Sequence, residues 1–231
     1  MKLSVAIPTY EYHGCGVDFL DFQFRKFETQ TFKDFEIVIS DHSINDDIEK
    51  FCKENMYNLK IKYIRNKKDR GSSSANVNNA ILESSGDIIK IIFQDDFLYD
   101  EKSLEYTVNA FNDNTNWLVS GCVHTKDDGA SFFNHMIPMY NDQIYYPKNT
   151  ISSPSVLSIK NSDEKILFDE RLIWMMDVDY YKRAFDKFGL PNVLPTTTVV
   201  NRIWEYQLSS TMSGDRKNEE VSLVKEKFQN D

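Results

Sequence analysis

The sequence predicts an α/β fold, a mainly parallel sheet flanked by helices, with a mixed second half. Three observations lead there. Strand-like apolar runs and helix-like periods alternate from Leu3 to Thr125, the rhythm of right-handed crossovers between parallel strands. Ile88 to Phe93 is apolar except for Lys90, as befits a strand covered by helices on both faces. After residue 125 the alternation breaks, and the parallel pattern is no longer implied.

Taken in order, Leu3–Ile7 is a first strand stopped by Pro8, which has no N–H for a ladder bond. Thr9 to Gly16 is a loop with two glycines, followed by a helix over Val17–Thr29. Phe35–Asp41 is the second strand and ends in a carboxylate. Asp46–Asn55 reads as a helix, Lys60–Arg65 as a third, shorter strand. Gly71-Ser72-Ser73-Ser74 supplies a loop and an N-cap for a helix running to Ser84. Gly86 ends that helix and the apolar strand follows. Ser103–Asn112 is helical and Trp117–Thr125 a further strand.

In the second half, Lys126-Asp127-Asp128-Gly129 predicts a hairpin turn. Residues 132–150, rich in Tyr, Asn, Pro and Met, carry no clean period and are expected to be irregular. Ser155–Lys160 is a strand, Met175–Phe188 a helix ended by Gly189 and Pro191, and Val193–Trp204 another strand. The charged tail from Lys217 to Asp231 is a C-terminal helix. No repeat or low-complexity linker divides the chain, so residues 1–231 form one domain in two halves, 1–125 and 126–231.

Composition bounds the function. In 231 residues, 41% hydrophobic content with 13% aromatics is ample for a core. A net charge of −9 argues against a broad basic groove for nucleic acid. Cys15, Cys52 and Cys122 are odd in number, far apart and without metal-ligand spacing, which suggests reduced thiols in a cytoplasmic protein. No apolar stretch approaches the roughly 18 residues of a transmembrane segment.

The chemistry concentrates at Gln94-Asp95-Asp96, directly after the apolar strand. In open α/β sheets ligands bind beyond the carboxyl ends of the strands. Two adjacent acids repel unless positive charge joins them, and Mg²⁺ or Mn²⁺ carrying phosphates suits such hard oxygen ligands. The plainer reading is a solvated turn capping the next helix. Asp41 at its strand end, and Asp177 near a helix start, each carry the same pair of readings. Trp174 and Trp204 could stack on a sugar ring or belong to the core. The four histidines show no metal spacing.

These pieces in this order resemble a family 2 glycosyltransferase of the GT-A fold, a Rossmann-like type. The resemblance runs through Ser4-Val5-Ala6-Ile7-Pro8-Thr9-Tyr10, Phe35 to Ser43, Asn78-Asn79-Ala80-Ile81 with Ser85-Gly86-Asp87, and Gln94-Asp95-Asp96. It continues in Phe168-Asp169-Glu170-Arg171-Leu172 with Met176-Asp177-Val178-Asp179 and Arg183. It implies a nucleotide-sugar-binding half over 1–125 and an acceptor-side half over 126–231, shaped by the 126–150 segment. Pro8, Thr9 and Tyr10 would wall the base, Asp41 would contact base or ribose, and Asn78 belongs to the donor-side block. Asp95 would lie nearer ribose or sugar, Asp96 would be a direct metal ligand, and Asp177 would be the general base.

The implied reaction is metal-dependent, inverting transfer from a nucleotide sugar, first of all a UDP-sugar, to a hydroxyl on a glycan, glycolipid, protein or modified base. The sequence departs from the family pattern in three places. Ser40-Asp41-His42-Ser43 keeps one acid of the usual Asp-Asp-Gly-Ser. Asn76-Val77-Asn78 lacks the family arginine, which leaves Arg65 or Arg70 to replace it. Met176 stands where a glutamate precedes the base, leaving Asp177 with Asp179 as the alternative. No histidine follows His135 to serve as a late metal ligand. A nucleotidyltransferase, or a GT-A-fold module that binds without catalysis, are the rival readings; the first lacks a basic Gly-rich loop after strand one.

Overall fold

The computed structural model describes residues 1–229 except Tyr12 and Pro147, so the end of the expected C-terminal helix, Asn230 and Asp231, lies outside the described residues. Its elements are β1 (Leu3–Thr9), α1 (Gly16–Glu28), β2 (Phe35–Asp41), α2 (Asp47–Glu54), β3 (Ile61–Arg65), α3 (Ser73–Leu82), β4 (Ile88–Ile91), β5 (Phe97–Leu98), α4 (Ser103–Asn109), β6 (Trp117–Thr125), β7 (Phe133–Met136), β8 (Leu157–Lys160), α5 (Met176–Phe188), β9 (Asn192–Arg202), α6 (Leu208–Thr211) and α7 (Gly214–Gln229). A short 3₁₀ turn, Pro154–Val156, leads into β8.

The strands form one nine-stranded sheet in the order β3-β2-β1-β4-β8-β6-β9-β5, with β7 hanging on β6. Its first block is parallel, β3 to β4. The expectation that β6 continues that block needs correction, because β8 runs antiparallel between β4 and β6. Beyond it β9 returns parallel to β6. The sheet is thus mostly parallel with antiparallel insertions.

Alternation along the strands explains why both faces are apolar. Leu3, Val5 and Ile7 of β1, with Ile37 and Ile39 of β2, pack under Leu20 and Phe24 of α1 and Ile48 of α2. Ala6, Val38, Ile89 and Ile91 point the other way, into a core shared with Val77 and Ile81 of α3 and Tyr181 and Ala184 of α5. A one-residue slip would exchange the two sets, so register is firmly held.

Helix starts are set locally. Ser72 caps α3 by accepting from Ala75 N at 3.2 Å. Glu11, rather than a residue adjacent to the helix, accepts from Gly16 N and Val17 N to cap α1. Gly86 ends the approach to β4 because nothing larger fits: a Cβ there would lie 2.7 Å from Ser4 N and 2.9 Å from Lys2 O, both backbone. Gly86→Ala is expected to destabilise the protein by about 1–3 kcal/mol through overpacking, read as a lower urea midpoint at unchanged slope.

The predicted hairpin after β6 is present, but it uses β7, inside a stretch expected to be irregular. Phe133 to His135 are exposed. This edge strand is held by pairing with β6 rather than by an apolar face of its own, so periodicity cannot reveal it. β5 and α6, two and four residues long, are likewise too short for a periodic signal.

Candidate active site

The carboxyl ends of β1, β2 and β4 meet along one edge. Tyr10 N donates to Gln94 Oε1 at 2.7 Å and Gln94 Nε2 returns a bond to Tyr10 O at 2.8 Å, tying the ends of β1 and β4 together. Asn76 of α3 donates to Thr9 O and accepts from Ser40 Oγ, tying β1 to β2. Of the expected base wall, Pro8 and Thr9 are buried in the strand and Tyr10 alone is exposed.

Asp41 lies at the end of β2 as expected but is wholly buried. Its Oδ1 accepts from Ser43 N at 2.8 Å and its Oδ2 from Tyr63 OH at 2.6 Å, so it shapes the loop it was expected to project from. Asn78 points away from the strand ends. Its amide exchanges bonds with the backbone of Phe168, donating to O at 2.9 Å and accepting from N at 2.8 Å. A buried amide with its donors and acceptor satisfied inside the protein has little left for a ligand. Arg65, one of the two arginines expected to replace the absent family arginine, is already engaged inside the protein. Its guanidinium is shared among Tyr63 OH, the Ser43 and Asn45 carbonyls, Asp46 and Glu49. Arg70 is exposed, with no hydrogen bond or ion pair among the described residues.

Asp95 and Asp96 form the turn after β4. Asp95 is half-buried, its carboxyl enclosed, with Trp204 Nε1 donating to Oδ2 at 3.0 Å. The indole packs edge-on to Phe19 at 5.0 Å, so Trp204 serves the acidic turn from a partly buried position. Asp96 is buried. Oδ1 accepts from Arg202 N at 3.1 Å, Oδ2 lies 3.4 Å from the Ser153 hydroxyl, and the Ser155 hydroxyl also reaches the carboxyl. Arg202 braces the turn further: Nε donates to Asp95 O, Nη1 pairs with Asp128, and the guanidinium stacks over Phe19 at 4.5 Å. Burial, then the neighbouring Asp95, pushes the Asp96 carboxyl above the usual range, and burial likewise raises Asp95. Lys90 is fully buried on β4, its ammonium on Ser155 O at 2.6 Å.

Asp177 sits in the first turn of α5. Oδ1 accepts from Val178 N at 2.7 Å and Oδ2 from Asn149 Nδ2 at 2.6 Å. Burial pushes its carboxyl up to about 7, against the lowering effect of those two bonds. Asp179, the alternative base, is fully buried and neutralised on both oxygens, by Arg183 at 2.7 Å and Lys227 at 2.6 Å.

A single half-buried turn joins the two acidic centres. Asn149 also donates to Ser152 O, Ser152 Oγ accepts from Asn201 Nδ2, and Ser153 Oγ bridges Asn201 Oδ1 and Asp96. Tyr181 OH, one turn beyond Asp177, holds the Ser152 and Ser153 carbonyls. Ser152 is buried at φ +107°, a conformation costly for a side-chain-bearing residue and tolerated where surroundings enforce it. Asn149, Ser153, Arg202 and the Trp204 indole are therefore part of the site. Only Trp204 drew notice in the sequence, and for stacking; the others lie in segments with no motif.

The comparisons with known proteins bear on the family and the fold. The model of the family described as Glycosyl transferase family 2 matches residues 4–183. A GalNAc(5)-diNAcBac-PP-undecaprenol beta-1,3-glucosyltransferase of Campylobacter jejuni is 25% identical over 200 residues, 78% of this chain and 60% of that protein. An uncharacterized glycosyltransferase of Rickettsia bellii is 24% identical over 79% of this chain and 27% of that one. The chain thus spans less than two thirds of the length of these curated relatives. Among solved structures, S. aureus TarS 1-349 in complex with UDP-GlcNAc superposes with a TM-score of 0.74 at 19% identity, covering 97% of this chain and 65% of that one. Mannosyltransferase PcManGT from Pyrobaculum calidifontis, in complex with GDP-Man and Mn²⁺, gives 0.69 at 11%, covering 100% and 64%. No helix among the described residues is long and apolar enough to cross a membrane.

Proposed function

The chain belongs to glycosyl transferase family 2, and we propose that it transfers a sugar from a nucleotide sugar, first of all a UDP-sugar, to an acceptor hydroxyl with inversion at the anomeric carbon. The observation that carries this reading is the linked pair of acidic centres. A carboxylate poised near neutrality at Asp177 is joined through the Asn149–Ser153 turn to the paired carboxylates at the strand ends.

Asp177 takes the proton of the acceptor hydroxyl as its oxygen attacks the anomeric carbon. The bond from that carbon to the diphosphate breaks, and the diphosphate leaves with the electron pair. A base titrating near 7 is ionised enough at working pH and still basic enough to accept that proton. Asn149 and the Val178 N–H fix the direction in which the carboxylate faces.

Asp95 and Asp96 fit a divalent cation. They are hard oxygen donors held side by side, both carboxyls raised by burial, with the Arg202 guanidinium already engaged by Asp128 and the Asp95 carbonyl. Asp96 is the direct ligand in this reading, through Oδ2, which the Ser153 hydroxyl approaches at 3.4 Å, and Asp95 faces the ribose or sugar. Mn²⁺ or Mg²⁺ bound there supplies positive charge beside the departing diphosphate. Among the described residues no third acidic, histidine or cysteine ligand joins the pair, which leaves the remaining positions to donor oxygens and water. Exposed Arg70 is the candidate second cation for the diphosphate, in place of the family arginine.

UDP and UDP-GlcNAc complexes among the similar structures support a uridine donor, and the GDP-Man complex keeps guanosine in the test. The Campylobacter relative points to a glycan or glycolipid acceptor, here including a polyprenol-linked one. Three unbridged thiols support a cytoplasmic, reducing setting. In a thermal-shift screen with Mn²⁺, UDP at about 100 times its Kd should raise Tm by about 5–10 °C, and EDTA should remove most of that rise. A rise with GDP instead would reassign the donor. No rise with any nucleoside diphosphate would overturn the proposal.

A further inference from the structure

Helix α7 lies beyond residue 183, where the family match ends, and its sequence reads as a charged, solvated helix. Within it Glu220 and Val224 are buried, and Lys227 continues the same face. Glu220, 1% exposed, accepts from three consecutive backbone N–H groups: Ile173 at 3.1 Å, Trp174 at 2.8 Å and Met175 at 2.9 Å. Those residues form the turn that leads into α5, and Met175, the N-cap position, makes no side-chain cap of its own. Arg216, 3.3 Å away on α7, offsets part of the charge. Lys227 meanwhile bonds Asp179 at 2.6 Å and Asp169 at 3.0 Å, and Arg216 reaches Arg171 O at 3.0 Å. The segment 169–179 is thus gripped from one helix at several points, and Asp177 stands two residues past the gripped turn.

A carboxylate aimed at successive free N–H groups is an anion held by a backbone nest, bound more strongly than a neutral acceptor and weakened when its charge is removed. We propose that Glu220 is a positioning residue for the acceptor-side chemistry, fixing the 173–175 turn and with it the orientation of Asp177. This rests on the glycosyl-transfer reading for its catalytic meaning, while the grip itself is independent of that reading. Asp177 is faced by Asn149 from the half-buried turn, Tyr181 from its own helix and Glu220 from α7, and Glu220 adds negative charge to its surroundings.

The test is Glu220→Gln in the full chain, whose side chain has nearly the same shape but no charge: one oxygen remains for the three N–H groups, and an NH₂ replaces the oxygen beside Ile173 N and Arg216. Hydrogen exchange at the amides of Ile173, Trp174 and Met175 should quicken at least tenfold. The carboxyl ¹³C titration of Asp177 should move to lower pH, because a nearby negative charge is gone. Turnover of UDP-sugar onto acceptor should fall about 10- to 100-fold through kcat, as misplacement of a reacting group does, with the donor KM unchanged. Unchanged exchange together with an unmoved titration overturns the inference, whatever the turnover. A wild type with no turnover on any donor strikes the function reading alone, since exchange and titration still decide the grip. Should the Gln variant not fold, Glu220→Asp, shorter by one methylene with its charge kept, is read on the same amides; wild-type exchange there overturns the inference.

Discussion

Asp177→Asn protein is expected to bind UDP and Mn²⁺ as tightly as wild type while transferring sugar about 10²- to 10⁴-fold more slowly, the usual worth of a positioned general base. The substitution is close to isosteric, and the amide oxygen can keep one of the two bonds, from Val178 N or from Asn149, while its NH₂ faces the other donor. What it removes is the ability to accept a proton. The pH profile separates this from a loss of shape. As the proposed base, Asp177 would work as the carboxylate, and burial pushes its titration up to about 7, so wild-type kcat/KM should climb through pH 6–8 and level off above. An ordinary surface carboxylate would place that climb near 4. In Asp177→Asn the residual rate should be flat across the window. Near-normal turnover would move the base elsewhere, though not to Asp179, whose two oxygens already hold Arg183 and Lys227 in the interior. The rate comparison and the profile need one substrate pair, found through the nucleotide screen.

What the sequence made legible was whatever local order encodes. The run from Ile88 and the pair Asp95-Asp96 sit together in the chain, and topology alone carries the pair to the ligand-binding edge. The strands β1 to β4 and the helices between them follow from periodicity in the same way. The place of β8 does not, because four residues of moderate alternation contain nothing about which neighbour they will pair with. Residue identity also proved easier to read than side-chain direction. Asn78 matches a family position, yet its amide turns to Phe168, 90 residues away in sequence. Trp204 reaches Asp95 across 109 residues, and nothing around the indole announces a carboxylate partner. Glu220 is the extreme case. In a helix as polar as α7 a glutamate looks solvated, and only folding reveals that it faces three N–H groups of another element.

The Asp96→Ala variant should lose Mn²⁺-dependent donor binding altogether, and transfer with it, while remaining folded. Two opposing effects act on the fold. Removing the carboxylate strands the Arg202 N–H in the interior, at a cost of about 1–3 kcal/mol for a buried donor left without its partner, while the Ser153 hydroxyl keeps Asn201 Oδ1. It also relieves the repulsion that two enclosed carboxyls exert on each other, which returns some stability. Tm without ligand should therefore shift by only a few degrees, and the informative quantity is the further rise on adding UDP with Mn²⁺. Wild type should show that rise and EDTA should cancel most of it; Asp96→Ala should show the small EDTA value under both conditions. A variant that keeps the full Mn²⁺-dependent rise would place the cation on Asp95 instead, the member of the pair with more solvent access and a Trp204 N–H on one oxygen. A variant that loses even the metal-independent part would mean that Asp96 shapes the turn for the nucleotide through Arg202 and Ser153. The two outcomes separate a ligand from a brace, because a brace acts on the site whether or not metal is present, whereas a ligand acts only when it is.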